Sequence, residues 1–405
     1  MPSALPEGQR APNDGSLPEL ARGEVSLRPL GIYIHIPFCT TRCGYCDFNT
    51  YTAAELGTER GASRAGYVDA AIHELGLAAR VLGADAPAVS TVFVGGGTPT
   101  LLPPDDLGRL ITAVSNHFAL APDAEVTTES NPESIDSAGL HRLRELGFNR
   151  ISFGMQSAVA HVLARLDRTH SAGRPLQAVA EAKTAGFDNI SLDLIYGTPG
   201  ESANDWQESL DAALSAVPEH ISAYALVVEE GTRLAARIRR GELPPTDEDD
   251  LADKYLIADQ RLAAAGYTAY EVSNWARTAA TRCRHNEGYW RSHHWWGIGP
   301  GAHSHVGGVR WWNVKHPRAY ASRLASGQSP AHARELLSAE QRRVERILLE
   351  LRLAEGLTTS LLTSTEKSRL VDLLTRRLAV VEDGMVILTR TGRLLADGVI
   401  RDLLD

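Results

Sequence analysis

The sequence predicts an α/β fold, namely a partial barrel of six βα units followed by a small α+β domain. Two observations support this prediction. A buried-type strand, a polar strand end and a helical pattern recur six times, at the spacing of roughly 30 residues that is typical of βα units with a parallel sheet. The chain has 405 residues and is 43% hydrophobic, which is enough for one large core and one smaller core.

The first elements follow from composition and periodicity. Residues 1–28 contain several Pro and Gly and no periodic apolar pattern, which predicts a disordered tail. The barrel is expected over 29–235. It begins with a strand in which apolar and polar residues alternate over 31–36, until Pro37 ends the ladder. Apolar residues at helical spacing over 67–82 then predict a helix.

The remaining barrel strands all end in glycine or polar residues. They are predicted over 91–94, 125–128, 150–153, 190–194 and 220–228. In barrels of parallel strands, the chemistry lies at these carboxyl ends. The glycine triplet 95–97 lets the backbone approach a ligand closely, although a plain tight turn explains the triplet equally well.

Four polar side chains at or just past strand ends are candidate ligand-binding groups. They are Glu129, Gln156, Arg168 and Asp193. Carboxylates suit ribose hydroxyls and arginine suits a carboxylate, but a helix cap or a surface ion pair is an equally good explanation of each residue. Asp193 lies inside an apolar strand, where burial without a partner is costly, so we expect a ligand or a fixed partner there.

Three of the four cysteines, Cys39, Cys43 and Cys46, lie within eight residues in a loop that leaves the first strand. A structural zinc site requires four protein ligands, and a disulfide framework requires spread cysteines in a secreted protein. The pattern favours an iron–sulfur cluster on thiolates. Three thiolates on a four-iron cluster leave one iron open to a further ligand.

The CxxxCxxC spacing, with Tyr45 before the third cysteine, resembles the radical S-adenosylmethionine (radical SAM) superfamily. Ile-His-Ile-Pro-Phe-Cys and Cys-Asp-Phe resemble its branch of oxygen-independent coproporphyrinogen III dehydrogenases and related heme chaperones. The resemblance implies a partial (β/α)6 TIM-like barrel of radical SAM type, a [4Fe-4S] cluster on the three cysteines, and S-adenosyl-L-methionine on the open iron. It also implies cofactor contacts by Tyr33, Tyr45, Gly96, Gly97, Thr98, Glu129, Gln156, Arg168 and Asp193.

The segment 236–330, expected to extend the barrel, is rich in aromatic residues. Six of the seven tryptophans lie between Trp275 and Trp312. Wide aromatic surfaces with a few imidazoles suit a flat apolar ligand such as a porphyrin, but ordinary aromatic packing explains them equally well.

A short motif in this segment carries the resemblance further. His285-Asn286-x-x-Tyr289-Trp290 resembles the HNxxYW motif of the heme chaperones, which the dehydrogenases lack. The resemblance implies that His285 is the heme-iron ligand, with Tyr289 and Trp290 as weaker candidates. Cys283, two residues earlier, is another weaker candidate as an axial thiolate, although a free structural thiol is the commoner fate of such a cysteine.

Residues 331–405 are expected to form a winged-helix-like domain. Helical patterns over 337–355, 364–374 and 391–404 flank a hairpin with an Asp383-Gly384 turn. Winged helices often bind DNA, but this segment has no basic stripe, which favours a covering or partner-docking role. Within the preceding segment 236–330, we expect a helix capped by Thr246 that runs from about 251 to 265.

Composition narrows the class of protein. The net charge of −9 disfavours nucleic-acid or anionic-membrane binding. No apolar run is long enough for a membrane span, no signal peptide is evident, and the few cysteines fit a reducing cytoplasm. We expect a cytoplasmic protein.

Two functions compete on these residues. The first is a heme chaperone that binds heme and passes it to acceptor proteins, with transient contact to a membrane protein. The second is an oxygen-independent coproporphyrinogen III dehydrogenase of porphyrin biosynthesis. The motif of the dehydrogenases is CxxxCxxCxC, with a fourth cysteine. In this sequence Phe48 occupies the position of that fourth cysteine. Phe48 and the HNxxYW motif favour the chaperone.

Overall fold

The computed structural model of the chain describes residues 7–56 and 63–405. The strands are β1 Gln9–Arg10, β2 Leu30–Ile36, β3 Val89–Gly96, β4 Leu120–Ser130, β5 Arg150–Gln156, β6 Ile190–Tyr196, β7 His220–Ala225, β8 Thr268–Ala269, β9 Asn274–Ala276, β10 His294–Ile298, β11 His303–Val306, β12 Val309–Asn313, β13 Ala331–Leu336, β14 Leu357–Thr358, β15 Ala379–Glu382 and β16 Met385–Leu388. The helices are α1 Glu19–Gly23, α2 Ala53–Leu56, α3 Arg64–Leu82, α4 Pro104–His117, α5 Ser137–Glu145, α6 Ala160–Arg165, α7 Arg174–Thr184, α8 Ala203–Ser215, α9 Arg233–Arg239, α10 Glu248–Ala264, α11 Arg284–Trp290, α12 Pro317–Ala325, α13 Ala339–Glu350, α14 Ser364–Thr375, α15 Arg390–Leu394 and α16 Ala396–Leu404.

The barrel is one open sheet with the strand order β1-β13-β12-β11-β10-β2-β3-β4-β5-β6-β7-β9-β8. Neighbours from β2 through β7 pair in parallel, which confirms the six predicted βα units. Strand β10 also pairs in parallel with β2, on the other side of the first predicted strand. Within the described residues β1 and β8 form the two edges, so the predicted partial barrel is confirmed.

The two faces of the barrel strands differ in chemistry, because side chains alternate along a strand. Leu30, Ile32 and Ile34 on β2 are fully buried in the main hydrophobic core. The inner face is polar instead: along β5, Arg150 and Ser152 line a cavity. A polar barrel interior indicates space for a polar ligand rather than a packed core.

The prediction of a disordered tail over 1–28 is wrong for residues 7–28. Strand β1 pairs antiparallel with β13, and helix α1 follows. Ala21 and Val25 are buried in the main core. Contacts with distant parts of the chain order this segment, although its own sequence shows no period. Residues 1–6 lie outside the described residues.

One predicted domain limit needs correction. The segment 236–330 extends the barrel, because its strands join both sides of the barrel sheet. The limit at 331 falls too early, since β13 pairs with β12 and belongs to the main sheet. The C-terminal domain begins where Ser338 caps α13 through a capping box with Gln341.

The C-terminal domain has its own small sheet and its own core. The sheet order is β14-β16-β15, and Leu351, Leu373 and Leu403 are among the residues of the separate core. This arrangement of helices around a hairpin matches the winged-helix-like prediction. The helix predicted over 391–404 divides into α15 and α16, and α13 is shorter than the predicted 337–355.

Helix α10 is capped one residue later than predicted. The N-cap of α10 is Asp247 rather than Thr246, because the Asp247 carboxylate accepts hydrogen bonds from the backbone N–H groups of Asp249 and Asp250. Among the described residues, every helix is too short or too polar to cross a bilayer.

Candidate functional site

A cavity of about 780 Å³ opens at the carboxyl ends of the barrel strands and extends into the barrel interior. The thiols of Cys39, Cys43 and Cys46 line it, together with the glycine turn after β3. The sequence predicted this location, because catalytic and binding groups of parallel barrels lie at this end.

The cysteine loop is held by backbone contacts and by one buried histidine. The Cys39 N–H donates to the Tyr51 carbonyl at 3.0 Å, so the loop closes on itself. His35 is buried and shares one hydrogen bond with the Tyr33 hydroxyl and another with the Asn49 carbonyl, each 2.9 Å long. This arrangement fixes both sides of the loop, a role of His35 that the sequence did not predict.

The glycine triplet packs directly against the cysteine loop. A Cβ atom on Gly97 would lie 2.5 Å from the Phe38 carbonyl oxygen and 3.0 Å from the Cys39 sulfur. A Cβ on Gly96 would lie 2.6 Å from the His35 ring, and Gly96 has a φ of +114°. These positions require glycine for close approach, so the triplet is more than a tight turn.

The three thiols are free and half-buried. The Arg168 guanidinium donates to the Cys43 sulfur at 3.5 Å and to the Gly154 carbonyl at 2.9 Å. Burial raises the pKa of the Cys39 thiol and raises the pKa of the Cys46 thiol to about 11. Bound iron would reverse this effect, because metal ions deprotonate coordinating thiols.

The donor set fits an iron–sulfur cluster. The thiols share one cavity, and the cationic Arg168 beside Cys43 offsets negative charge on bound thiolates. Among residues 7–56 and 63–405, no three His, Cys, Asp or Glu side chains converge to hold a single metal ion. A four-iron cluster does not require such convergence, because each thiolate binds a different iron.

The predicted cofactor-contact residues line this cavity. They are Tyr33, Tyr45, Gly96, Gly97, Thr98, Glu129, Gln156, Arg168 and Asp193. Glu129 accepts a hydrogen bond from the Gly96 N–H at 3.0 Å. Burial, reinforced by the charge of Asp193, raises the pKa of Glu129 to about 7. Gln156 adopts a φ of +62° at a bulge against β6, and such strain is frequent at functional sites.

Asp193 has fixed partners, as its position inside an apolar strand predicted. The hydroxyl of Ser152 donates to one carboxylate oxygen at 2.7 Å, and the hydroxyl of Ser191 donates to the other at 3.3 Å. Burial raises the pKa of Asp193 despite these bonds. A fixed partner and a ligand are compatible here, since Asp193 also lines the cavity.

The HNxxYW motif lies on α11, at the opposite end of the barrel from the cysteines. The backbone N–H groups of Arg284 and His285 donate to the Glu125 carboxylate, each at 3.0 Å. Both ring nitrogens of His285 are bonded, to the Thr91 hydroxyl at 2.8 Å and to the Tyr289 hydroxyl at 2.9 Å. Burial, aided by the charge of Arg150, lowers the pKa of His285 to about 3.

The weaker heme-ligand candidates are also enclosed. The Cys283 thiol is buried 3.8 Å from a Glu125 oxygen, and burial raises its pKa to about 12. The Trp290 indole N–H is buried without a hydrogen-bond partner. Cys283, His285 and Tyr289 line the inner part of the cavity.

The tryptophans do not form an open bed for a flat ligand. Trp275, Trp296, Trp311 and Trp312 are at most 5% exposed. Trp296 and Trp311 pack edge to face, with ring centroids 4.7 Å apart. Ordinary aromatic packing, the alternative left open by the sequence, describes these four residues.

Several groups that shape the cavity escaped the sequence analysis, including Arg150, Ser152 and Ser222 on inner strand faces. A usable signal existed for β5, where Arg150, Ser152 and Gln156 repeat polar character at even spacing inside an apolar segment.

An open barrel with a cysteine triplet at its carboxyl end, closed by a glycine turn, defines a radical SAM protein. The family model of the radical SAM superfamily matches residues 33–213. The chain is 52% identical over 377 residues to the heme chaperone HemW of Mycobacterium tuberculosis, with 93% of this chain and 95% of the relative covered. It is 32% identical over 376 residues to HemW of Bacillus subtilis, with 91% and 97% covered. The chain therefore belongs to the HemW family of the radical SAM superfamily, which confirms the predicted branch.

A solved structure supports the fold. Coproporphyrinogen III oxidase (HemN) of Escherichia coli, a radical SAM enzyme, matches with a TM-score of 0.80 over 95% of this chain and 92% of that chain. Sequence identity is 24%, so this likeness concerns architecture.

Proposed function

We propose that this chain is a heme chaperone that holds a [4Fe-4S] cluster, binds S-adenosyl-L-methionine and passes heme to acceptor proteins. The observation that carries the proposal is the 52% identity, over nearly the full length of both chains, to a protein named heme chaperone HemW. Phe48 supports it, because this half-exposed side chain lines the cavity where a dehydrogenase of the branch would have its further cysteine.

The cysteine end of the cavity would hold the cluster and the cofactor. Cys39, Cys43 and Cys46 would each bind one iron, and the bound cluster supplies electron transfer and an open iron for the methionyl group. Arg168 places a positive charge beside the thiolates. Glu129 offers a carboxylate oxygen to a donor of the cofactor. Among the described residues, the carboxylate accepts a single hydrogen bond, from the Gly96 N–H.

Heme binding by His285 would require a local exchange of hydrogen bonds. The ring is neutral at physiological pH because burial lowers its pKa, and a neutral imidazole is what heme iron binds. Both nitrogens are already bonded. The Tyr289 hydroxyl would have to release the Nε2 atom before iron could bind there. Cys283 is the second candidate. Tyr289 lines the same cavity, whereas Trp290 is not among the lining residues.

The cellular setting is part of the proposal. We place the protein in the cytoplasm, with heme and heme-acceptor proteins as partners. We propose that any contact with a membrane-bound acceptor is transient.

Two assays on anaerobically reconstituted protein test the proposal. Added heme should produce a saturable Soret band, and heme should then move to an apo-acceptor protein. Coproporphyrinogen III, given with S-adenosylmethionine and a reductant, should not be converted. Steady turnover of coproporphyrinogen III would show that the protein is the dehydrogenase of porphyrin biosynthesis instead. Failure of heme to bind would refute the proposed chaperone function.

A further inference from the structure

Arg150 is a buried cation on the inner face of the barrel. Its side chain is 2% exposed and lines the cavity. Its Nε atom is buried and has no hydrogen-bond partner. None of the ion pairs formed among residues 7–56 and 63–405 includes Arg150. A buried charge without a bonded partner is costly, and it is retained where a ligand supplies the partner.

The carboxylates around Arg150 are engaged elsewhere. The two oxygens of Glu125 accept hydrogen bonds from backbone N–H groups at the start of α11. The two oxygens of Asp193 accept from the hydroxyls of Ser152 and Ser191. These acids therefore attract the guanidinium through space but do not bond to it.

Arg150 nevertheless stays charged. Burial alone would lower the pKa of its guanidinium. Interactions with the acidic groups of Cys283 and Glu125 outweigh burial, so the pKa lies above its ordinary value. The inner end of the cavity thus presents a permanent cation with unused hydrogen-bond donors.

Arg150 and the cysteine loop lie at opposite ends of strand β5. Arg150 opens the seven-residue strand β5, and Gln156 ends it beside the cysteine loop. The two residues lie roughly 20 Å apart along the strand. An anion that binds the open iron beside the three thiols would therefore be distant from Arg150, which leaves the place at Arg150 to a second ligand.

We infer that Arg150 is an anion-binding residue at the inner end of the cavity and that it binds a propionate carboxylate of the tetrapyrrole cargo. The inference rests on the proposed function, since heme is the cargo and carries propionates. A guanidinium binds a carboxylate through two parallel, charge-assisted hydrogen bonds. Ser222, Asn274 and Asn286 line the same cavity and offer further donors.

Heme and heme dimethyl ester, whose carboxylates are blocked, provide the test. The reconstituted protein should bind heme about 10- to 100-fold more tightly than the ester, since a hydrogen bond to a charged group contributes about 1.5–3 kcal/mol. In Arg150→Gln the ratio should fall to about one while ester affinity is kept. In Arg150→Lys the ratio should lie between these two values, because the positive charge remains but the bidentate geometry of the guanidinium is lost.

Two further arms separate the outcomes. Arg174→Gln is the matched control, because this half-buried arginine of α7 pairs with Glu181 at 2.9 Å and does not line the cavity; its heme-to-ester ratio should equal that of the unmodified protein. Titration with S-adenosylmethionine should give the same affinity with and without Arg150→Gln.

Each contrary result has a distinct meaning. Equal binding of heme and ester by the unmodified protein overturns the inference and leaves the chaperone function standing. Loss of S-adenosylmethionine binding in Arg150→Gln, with the heme-to-ester ratio intact, assigns Arg150 to the cofactor and also overturns it. If the unmodified protein binds neither heme nor ester, both proposals fall. If Arg150→Gln does not fold, the inference is tested by the ratio of heme affinity to ester affinity in the unmodified protein and in Arg150→Lys.

Discussion

The two ends of the barrel treat their polar groups in opposite ways. At the carboxyl end, three thiols are free, the Nε atom of Arg168 has no partner, and Glu129 accepts one backbone N–H. At the amino end, both ring nitrogens of His285 and both oxygens of Glu125 are bonded within the protein. One end is left open for a ligand, and the other is sealed by α11.

This difference separates two roles for sequence motifs. The cysteine triplet lies where its groups have no structural duty, so its chemistry is available. The HNxxYW motif already stabilises the fold through bonds that cross from α11 to the barrel strands. A ligand that binds His285 must displace one of those bonds, whereas the hydrogen bond from Arg168 to the Cys43 sulfur can persist when the thiolate binds iron. Arg150 is the exception, an unpaired group near the sealed end.

The largest expected effect lies at the open end. Cys43→Ala should abolish the iron content and the visible charge-transfer absorption of anaerobically reconstituted protein, because a cluster needs all three thiolates. Cys283→Ala removes a thiol at the sealed end and should retain both signals. Normal iron content in Cys43→Ala would show that the cluster is held elsewhere.

A second substitution tests the packing that supports the open end. Gly97→Ala should destabilise the protein by about 1–3 kcal/mol and lower the cluster content, because the new methyl group meets the Phe38 carbonyl oxygen at 2.5 Å. Gly173→Ala has open space around its Cβ and should be nearly neutral. Chemical denaturation measures both, and equal stabilities would remove the close-packing argument.

The ends should also differ in the sign of their pH dependence. The pKa of Glu129 is raised from 4.5 to about 7, so its contribution to stability is present below pH 4.5 and is lost as the pH rises through 7. Denaturation of cluster-free Glu129→Gln should therefore show a smaller loss of stability between pH 5 and 8 than the unmodified protein. Parallel curves would contradict the raised pKa.

His285 should contribute a pH dependence of stability with the opposite sign. Its pKa falls from 6.5 to about 3, so the unfolded chain binds more protons between these pH values and stability declines as the pH falls below 6.5. Over the whole window the effect is on the order of 3–5 kcal/mol. His285→Gln should flatten the acid side of the stability curve. An unchanged acid slope would mean that His285 is not the titrating group.

The smallest effect concerns the bond that would compete with heme. Tyr289→Phe should cost about 1 kcal/mol of stability and should increase heme affinity, because it frees the Nε2 atom of His285. Tyr267→Phe is the control, since its hydroxyl bonds the Pro218 carbonyl at 2.5 Å and does not line the cavity. Equal heme affinity in both variants would show that the iron ligand is a residue other than His285.

Local patterns predicted much of the molecule. The six parallel strands follow from apolar runs with polar ends, and the cysteine loop follows from spacing alone. Order in residues 7–28 was missed because Gln9 and Arg10 pair with residues more than 300 positions away. Arg150 was missed because it stands at the start of β5, and only the polar residues at alternate positions along that strand, Ser152 and Gln156, indicate the face to which it belongs. The buried tryptophans show that composition cannot distinguish a ligand bed from a core.

The most direct test of the account is the electron paramagnetic resonance spectrum of the reduced, reconstituted protein with and without S-adenosylmethionine. An open iron beside the cavity predicts the signal of a single reduced [4Fe-4S] cluster, with g values that shift when the cofactor is added. A protein without iron, or a cluster signal that the cofactor leaves unchanged, would contradict an open iron at the carboxyl end of the barrel.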